Sequence, residues 1–151
     1  TVARFAEYAL DGRTELDNVL DVGAGCGYQA AVFAKLAMQV VSIERIEALY
    51  DKAQRNLKLA DFPKVKVIHG DGLAGLPARA PFDVIIVAAA GLEIPQALLK
   101  QLKIGGRLIV PVADQNQQNL VIVDRLKVDK WHREKKDLVK FVPLLQGTRI
   151  V

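Results

Sequence analysis

Apolar residues recur along this chain with two periods, and the alternation between those periods predicts its elements. Val2, Phe5, Ala6, Ala9 and Leu10 fall at i, i+3, i+4, i+7 and i+8. That is one face of an amphipathic helix, closed by Asp11-Gly12. Residues 19–22 form a short apolar run of strand type, and residues 28 to about 38 follow as an alanine-rich helix able to lie close to a sheet. Residues 40–44 read as a second strand ending on Glu44. Residues 45 to about 60 give the clearest helix, striped by Ile46, Leu49, Ala53, Leu57 and Ala60, with Asp51 and Arg55 paired at i,i+4. Val65–His69 alternates like a third strand, and residues 73–81 form a Gly/Pro-broken connection with at most one short helix.

Residues 82–89 are apolar apart from Asp83, and the run predicts a fourth strand buried on both faces. Pro95 is placed at the first position of a helix whose core face is Ile94, Ala97, Leu98 and Leu102, and Gly105-Gly106 stops it. Residues 107–112 are a fifth strand. Residues 120–126 and 138–145 are read as two more, joined across a charged turn near Asp129, with Pro143 marking an edge or a bulge. Strands alternating with helices and ending in a strand pair predict an open, mainly parallel α/β sheet with helices on both faces. Right-handed crossovers bring the loops after strands one to four to one carboxyl edge. The residues after strand one, Glu44, Asp71 and the loop after Ala88 should therefore face one crevice.

At 151 residues the chain is read as one domain with a real core, 51% hydrophobic and 25% charged. No apolar run is long enough to span a membrane, and no signal-peptide pattern is visible. The single cysteine, Cys26, excludes an internal disulfide and fits a reducing, cytoplasmic setting. A net charge of +4 is mildly basic and is a solubility feature before it is a nucleic-acid footprint. The only methionine is Met38, so something is expected to precede Thr1.

Chemistry concentrates where the first strand ends, at Gly23, Gly25 and Gly27. A strand feeding a glycine turn that opens a helix brings backbone N–H groups close to a nucleotide-like ligand. A dinucleotide fingerprint would need glycine at position 28, where the chain has Tyr28, and the remaining G-x-G-x-G fits an S-adenosyl-L-methionine (SAM) site. Glu44, 21 residues after Gly23, stands where a carboxylate can accept both ribose hydroxyls. Asp71 can accept from an adenine amino group, with Gly72 letting backbone approach the ring; a plain turn aspartate is the alternative. Asp21, inside a strand, needs a partner, either the glycine loop's N–H groups or the methionine end of SAM.

His69 reads as structural rather than as a general base, His132 carries a weaker signal still, and Cys26 fits a small residue in a tight loop. Two histidines and one cysteine make no metal site. The cations from Lys127 to Lys140, interleaved with acids, read as a solvated hairpin, with an RNA-binding patch as the alternative. The fourth strand ends without an Asp/Asn-Pro-Pro-aromatic cluster of the kind that orients an amine for methylation. A carboxylate acceptor is ionised at neutral pH and needs no such help.

Seven segments together resemble the protein-L-isoaspartate O-methyltransferase family. They are D-V-G-A-G-C-G-Y-Q-A-A, V-V-S-I-E-R-I, G-D-G-L-A-G-L-P, A-P-F-D-V-I-I-V-A-A-A, E-I-P-Q-A-L-L-K-Q-L, G-G-R-L-I-V-P-V and F-V-P-L-L. The resemblance implies a Rossmann-like SAM-dependent methyltransferase fold, a mainly parallel seven-stranded sheet with a C-terminal antiparallel strand pair. It implies carboxyl methylation of L-isoaspartyl residues for protein repair, with the methyl ester collapsing to a succinimide. By that match Gly23, Gly25 and Glu44 would bind the cofactor with Asp71 at the adenine, beside the candidates Asp21, Gly27 and Gly72 read from the residues themselves, and Ala89, Ala90, Val142, Pro143 and Leu144 would line the isoaspartyl pocket. Isoaspartyl-containing peptides and proteins would be the partners of a cytoplasmic monomer, with no membrane or nucleic-acid partner. The family carries a Thr-Ile-Ser-Gln-Pro segment whose serine is credited with activity, and its place falls just upstream of Thr1. Ala88 stands where the family commonly has threonine, and Ala24 and Cys26 where threonine and serine are common. A SAM-binding domain without catalysis and an RNA or small-molecule methyltransferase are the alternative readings.

Overall fold

The structure, a computed structural model, describes residues 1–150. Its centre is β4 (Phe82–Val87), whose six residues are all buried. A strand with no polar alternation can sit only inside a sheet covered on both faces, and burial of each large side chain there contributes roughly 1.5–3 kcal/mol. β1 (Leu16–Val22) lies parallel to it on one side, followed outward by β2 (Ala37–Glu44) and β3 (Val65–His69). On the other side come β5 (Leu102–Asp114), β6 (Gln117–Lys127) and β7 (Lys130–Val139). The sheet order is β3-β2-β1-β4-β5-β6-β7, parallel through β5, with β6 antiparallel to both neighbours.

Helices α1 (Val2–Leu10), α2 (Tyr28–Ala34) and α3 (Glu47–Leu59) cover one face, through Phe5, Phe33 and Leu57 among others. The other face is covered by α4 (Gln96–Lys100) and by two single 3-10 turns, Gly72–Ala74 and Pro77–Arg79. Arg107 fastens α1 to the sheet: it holds Asp124 at 2.7 and 3.0 Å and donates to the Tyr8 carbonyl at 2.9 Å. At the edge opposite the strands' carboxyl ends, the buried Asp83 carboxylate accepts the N–H groups of Asp17 and Asn18 at 2.8 and 2.6 Å.

Several predicted boundaries move, each for a tertiary reason. α2 stops at Ala34 instead of running to Met38, because Ala37 pairs in register with Leu16 and the segment joins β2. Alanine favours helix, but by less than about 1 kcal/mol per residue, and tertiary pairing overrides that preference. Pro95 is extended (ψ 120°) and precedes α4 without being its first residue, while Leu102 opens β5. Gly105-Gly106 does not stop a helix; it lies within β5, where the register against β4 jumps from Phe82↔Leu102 to Val84↔Arg107. A Cβ on Gly106 would stand 2.9 Å from the Lys103 oxygen and 3.0 Å from the Phe82 oxygen, so the irregularity requires glycine. Connection 73–81 carries two short turns, not one at most. The last strand is the charged stretch Lys130–Val139, not 138–145: as the sheet's outer strand it tolerates charges.

Residues 140–150 do something other than form a strand. β7 ends at the carboxyl edge, and the chain then crosses back over that edge. Pro143 bridges to Ala90 beyond β4, and Arg149 bridges to Ile46 beyond β2. The N–H groups of Ala90 and Leu144 donate to Val142 and Ala90 carbonyls at 2.7 and 2.8 Å, and those of Glu47 and Arg149 to Arg149 and Arg45 carbonyls at 2.8 and 2.7 Å. This strap closes the crevice from above.

Candidate functional site at the carboxyl edge

β1 delivers the chain to Gly23, whose N–H donates to the Ile43 carbonyl at 2.8 Å. Gly23, Gly25 and Gly27 have φ of 95°, 55° and 91°, values that only glycine adopts freely. The loop is fixed by a carboxylate. Glu44, 5% exposed, accepts the Gly25 N–H on Oε1 at 2.9 Å and the Ile46 N–H on Oε2 at 3.0 Å. One acid thus joins the glycine turn to the start of α3, and each of its oxygens keeps a second lone pair.

These groups wall a cavity of about 360 Å³, within the range of small-molecule sites. Val22, Gly23, Gly25, Ile43, Glu44 and Gly72 form one side; Ala88, Ala89 and residues 142–145 form the other. A larger recess, about 980 Å³, skirts β3 beside Arg55, Lys58, Lys64 and Lys66. It holds none of the candidate residues, so size does not choose the site.

The structure brings Gly23, Gly25, Glu44, Gly72, Ala89, Val142, Pro143 and Leu144 together in this cavity, as the sequence leads one to expect. Four other candidates lie outside its wall. Gly27 caps α2, and a Cβ there would press on Leu57 at 3.2 Å, so this glycine serves the contact of α2 with α3. Asp71 caps its own turn, accepting the Leu73 N–H at 3.0 Å, beside Gly72 in the wall. Its other oxygen has no hydrogen-bond partner among the described residues. Ala90 pairs with the strap through its backbone. Asp21 is fully buried beneath the loop and holds neither the loop's N–H groups nor the cavity. It accepts from Gln29 Nε2 at 2.7 Å and from the Ser42 hydroxyl at 2.8 Å. Burial pushes its carboxyl up to about 6, against those two hydrogen bonds and with the Glu44 charge adding to the rise.

Sequence reasoning missed two cations. Arg45 and Arg149 both line the cavity. Arg45 donates from Nε to the Gly147 carbonyl at 3.2 Å, and no carboxylate lies within 4.0 Å of either guanidinium among the described residues. Only the chain's return across the edge places Arg149 here, and no local periodicity announces that. His69 is structural: Nε2 lies 3.0 Å from the Arg45 carbonyl, and the ring rests against Tyr50. Cys26 is exposed, with its carbonyl accepting from Asn56 at 2.9 Å. No cluster of metal ligands occurs among the described residues.

The sheet order and this edge site define an α/β domain of the SAM-dependent methyltransferase fold. The profile of the protein-L-isoaspartate(D-aspartate) O-methyltransferase family matches residues 1–149, and the chain belongs to that family. A protein-L-isoaspartate O-methyltransferase of Burkholderia thailandensis is 51% identical over 147 residues, 97% of this chain and 45% of the relative. The chain therefore spans about half the length of the curated relatives it matches. Among solved structures, a protein-L-isoaspartate O-methyltransferase superposes with a TM-score of 0.86 at 31% identity, over 94% of this chain and 45% of that one. A Plasmodium falciparum protein described as a beta-aspartate methyltransferase, in complex with S-adenosyl-L-homocysteine, gives 0.80 at 24% identity, over 93% and 71%.

Proposed function

We propose that this chain is a single SAM-dependent methyltransferase domain that transfers a methyl group to the free carboxylate of L-isoaspartyl residues in damaged proteins. The observation that carries the reading is the join of two halves at one cavity: the Glu44-anchored glycine turn and the strap over Ala88–Ala90. SAM, when bound, supplies an electrophilic methyl group on a sulfonium. Glu44 would take the ribose hydroxyls on its remaining lone pairs, and Gly23, Gly25 and Gly72 would let backbone approach the ligand. Asp71, with one oxygen free, would meet the adenine edge from beside Gly72.

The acceptor is a carboxylate, already anionic at neutral pH, so the residues have to align it and need not deprotonate it. The cavity's chemistry agrees: among the described residues its walls carry no histidine and one acid, Glu44, which already accepts from two backbone N–H groups. Arg45 and Arg149 give it a positive field that favours an anionic acceptor. Ala89, Val142, Pro143 and Leu144 would exclude water beside the acceptor. The same reading makes the chain a cytoplasmic monomer with no nucleic-acid partner; among the described residues no helix is long and apolar enough to cross a membrane.

The test is methyl transfer from labelled SAM to an isoaspartyl peptide, with the aspartyl isomer as control and calorimetric SAM binding alongside. Base-labile label on the isoaspartyl peptide alone is the expected result. Binding without transfer would support the non-catalytic reading, and no binding by a folded chain would overturn the assignment of the cavity.

A further inference from the structure

On the α4 face, beyond the 88–94 loop from the cavity, lies a second recess of about 620 Å³ that the reaction described above does not use. Its floor is sheet. The pairings Val112↔Asn119, Val121↔Lys135 and Val123↔Arg133 set β5, β6 and β7 side by side, so Val112, Asn119, Val121, Arg133 and Lys135 present one face to it. Asn119 is 7% exposed, and its Oδ1 is buried with no hydrogen-bond partner among the described residues. A buried amide in that state lacks a donor that the fold itself does not supply. Neither Arg133 nor Lys135 has a carboxylate within 4.0 Å among the described residues, although Glu134 between them is paired with Lys136 at 2.8 Å. Glu93 and Asp114 line the opposite end, so the recess is polarised, with its positive side on β7.

The loop between the two hollows is a fixed partition. Ala90 is bonded to the strap, and Gly91 to β5, through its N–H to Pro111 at 3.3 Å and its carbonyl from Ala113 at 2.8 Å. Ala89 lines the first cavity and Leu92 the second. They are three positions apart in the chain, about 10 Å when extended.

Resting on the reading that the first cavity methylates isoaspartyl residues, we propose that this recess seats the substrate chain about three residues from the isoaspartyl group. The substrate's backbone N–H would satisfy the Asn119 amide, and an acidic side chain at that position would face Arg133 and Lys135. Selectivity among damaged sites then includes a preference for a nearby carboxylate, in addition to recognition of the isoaspartyl group.

The experiment measures binding of labelled isoaspartyl peptides to the full chain with S-adenosyl-L-homocysteine present, by fluorescence anisotropy. Peptides carry glutamate, glutamine or lysine three residues from the isoaspartyl group, and aspartyl isomers serve as controls. The glutamate peptide should bind roughly fivefold tighter than the glutamine peptide at low salt, since two exposed pairs each contribute little, and the gain should fade as salt rises. The double variant Arg133→Glu, Lys135→Glu should reverse the order in favour of lysine. Asn119→Leu should weaken every peptide long enough to reach the recess, leave a shorter isoaspartyl peptide unaffected, and keep or raise Tm. If isoaspartyl preference persists but glutamate gives no gain, or the gain survives the double variant, the recess assignment is wrong and the first cavity stands. Loss of isoaspartyl preference in every peptide would overturn both.

Discussion

Asp21→Asn should stabilise the protein at neutral pH, because the native fold holds a carboxylate where a carboxylate is costly. Asp21 is completely buried, and its carboxyl is raised from the ordinary 3.8 to about 6, burial outweighing the bonds from Ser42 and Gln29. A rise of some two units corresponds to about 3 kcal/mol, at 1.36 kcal/mol per unit. Between about pH 4 and 6 the native state keeps a proton that the unfolded chain has lost. This group's contribution to stability therefore falls as pH climbs through that window, and the full penalty stands above pH 6. Most carboxylates act in the opposite sense. Asparagine keeps the shape: its oxygen can accept from Gln29 Nε2, and its amide can donate to the Ser42 hydroxyl, which turns to accept. Urea denaturation of the protein and the variant, from pH 4.5 to 8, reads the difference directly. The variant's advantage should be small at pH 4.5 and approach about 3 kcal/mol above pH 7. A variant less stable at every pH by a constant amount would refute the reasoning, because Asp21 would then be contributing hydrogen bonds that outweigh its desolvation.

Glu44→Ala should lower SAM affinity tenfold or more by calorimetry, about the loss of a charged hydrogen-bonding partner. It should also destabilise the fold by roughly 2–4 kcal/mol in denaturant melts, since the N–H groups of Gly25 and Ile46 lose their acceptor. Gly72→Ala should cost about 1–3 kcal/mol, because its Cβ meets the Cγ1 of Val22 in the cavity wall. Gly25→Ala has open space around its Cβ and should cost only its left-handed φ, roughly 1–2 kcal/mol, so thermal melts should rank Gly72→Ala at or below it in Tm. Arg107→Lys keeps the charge but loses the two-pronged hold on Asp124, and should cost about 1–2 kcal/mol in urea.

Much of this architecture was legible in the sequence because period and punctuation agree there. The runs that became β1 to β4 are mostly apolar and bounded by glycine or charge; residues 19–22, 40–44 and 65–69 are paired throughout, while the fourth strand stops at Val87, two residues short of the expected Ala89. Glu44's place beside the glycine turn was legible because a fixed distance from that turn leads to the end of the neighbouring strand. Where local pattern was ambiguous, pairing decided. The A-K-L-A-M stretch ending at Met38 reads as helix until Leu16 offers Ala37 a partner, and Gly105-Gly106 reads as a stop until the β4 register demands extra residues. Asp21, inside a strand, reads as a buried acid in need of partners, but those partners come from Gln29 on α2 and Ser42 on β2. Neither periodicity nor spacing could single them out.

The two halves of the crevice differ for a physical reason. The glycine turn, Glu44 and Gly72 lie directly after parallel strands, so right-handed crossovers alone bring them to one edge. The strap's position follows instead from β7. Because β6 reverses direction and β7 reverses it again, the chain emerges at Val139 on the carboxyl edge with the whole edge still to cross. Read as a strand, residues 138–145 would have lengthened the sheet and left the crevice open. Ending β7 at Val139 frees Pro143 to bridge Ala90, and carries Arg149 to Ile46 and a second cation into the cavity. A six-residue misplacement of one strand end is thus the difference between an open groove and a covered pocket that holds two arginines.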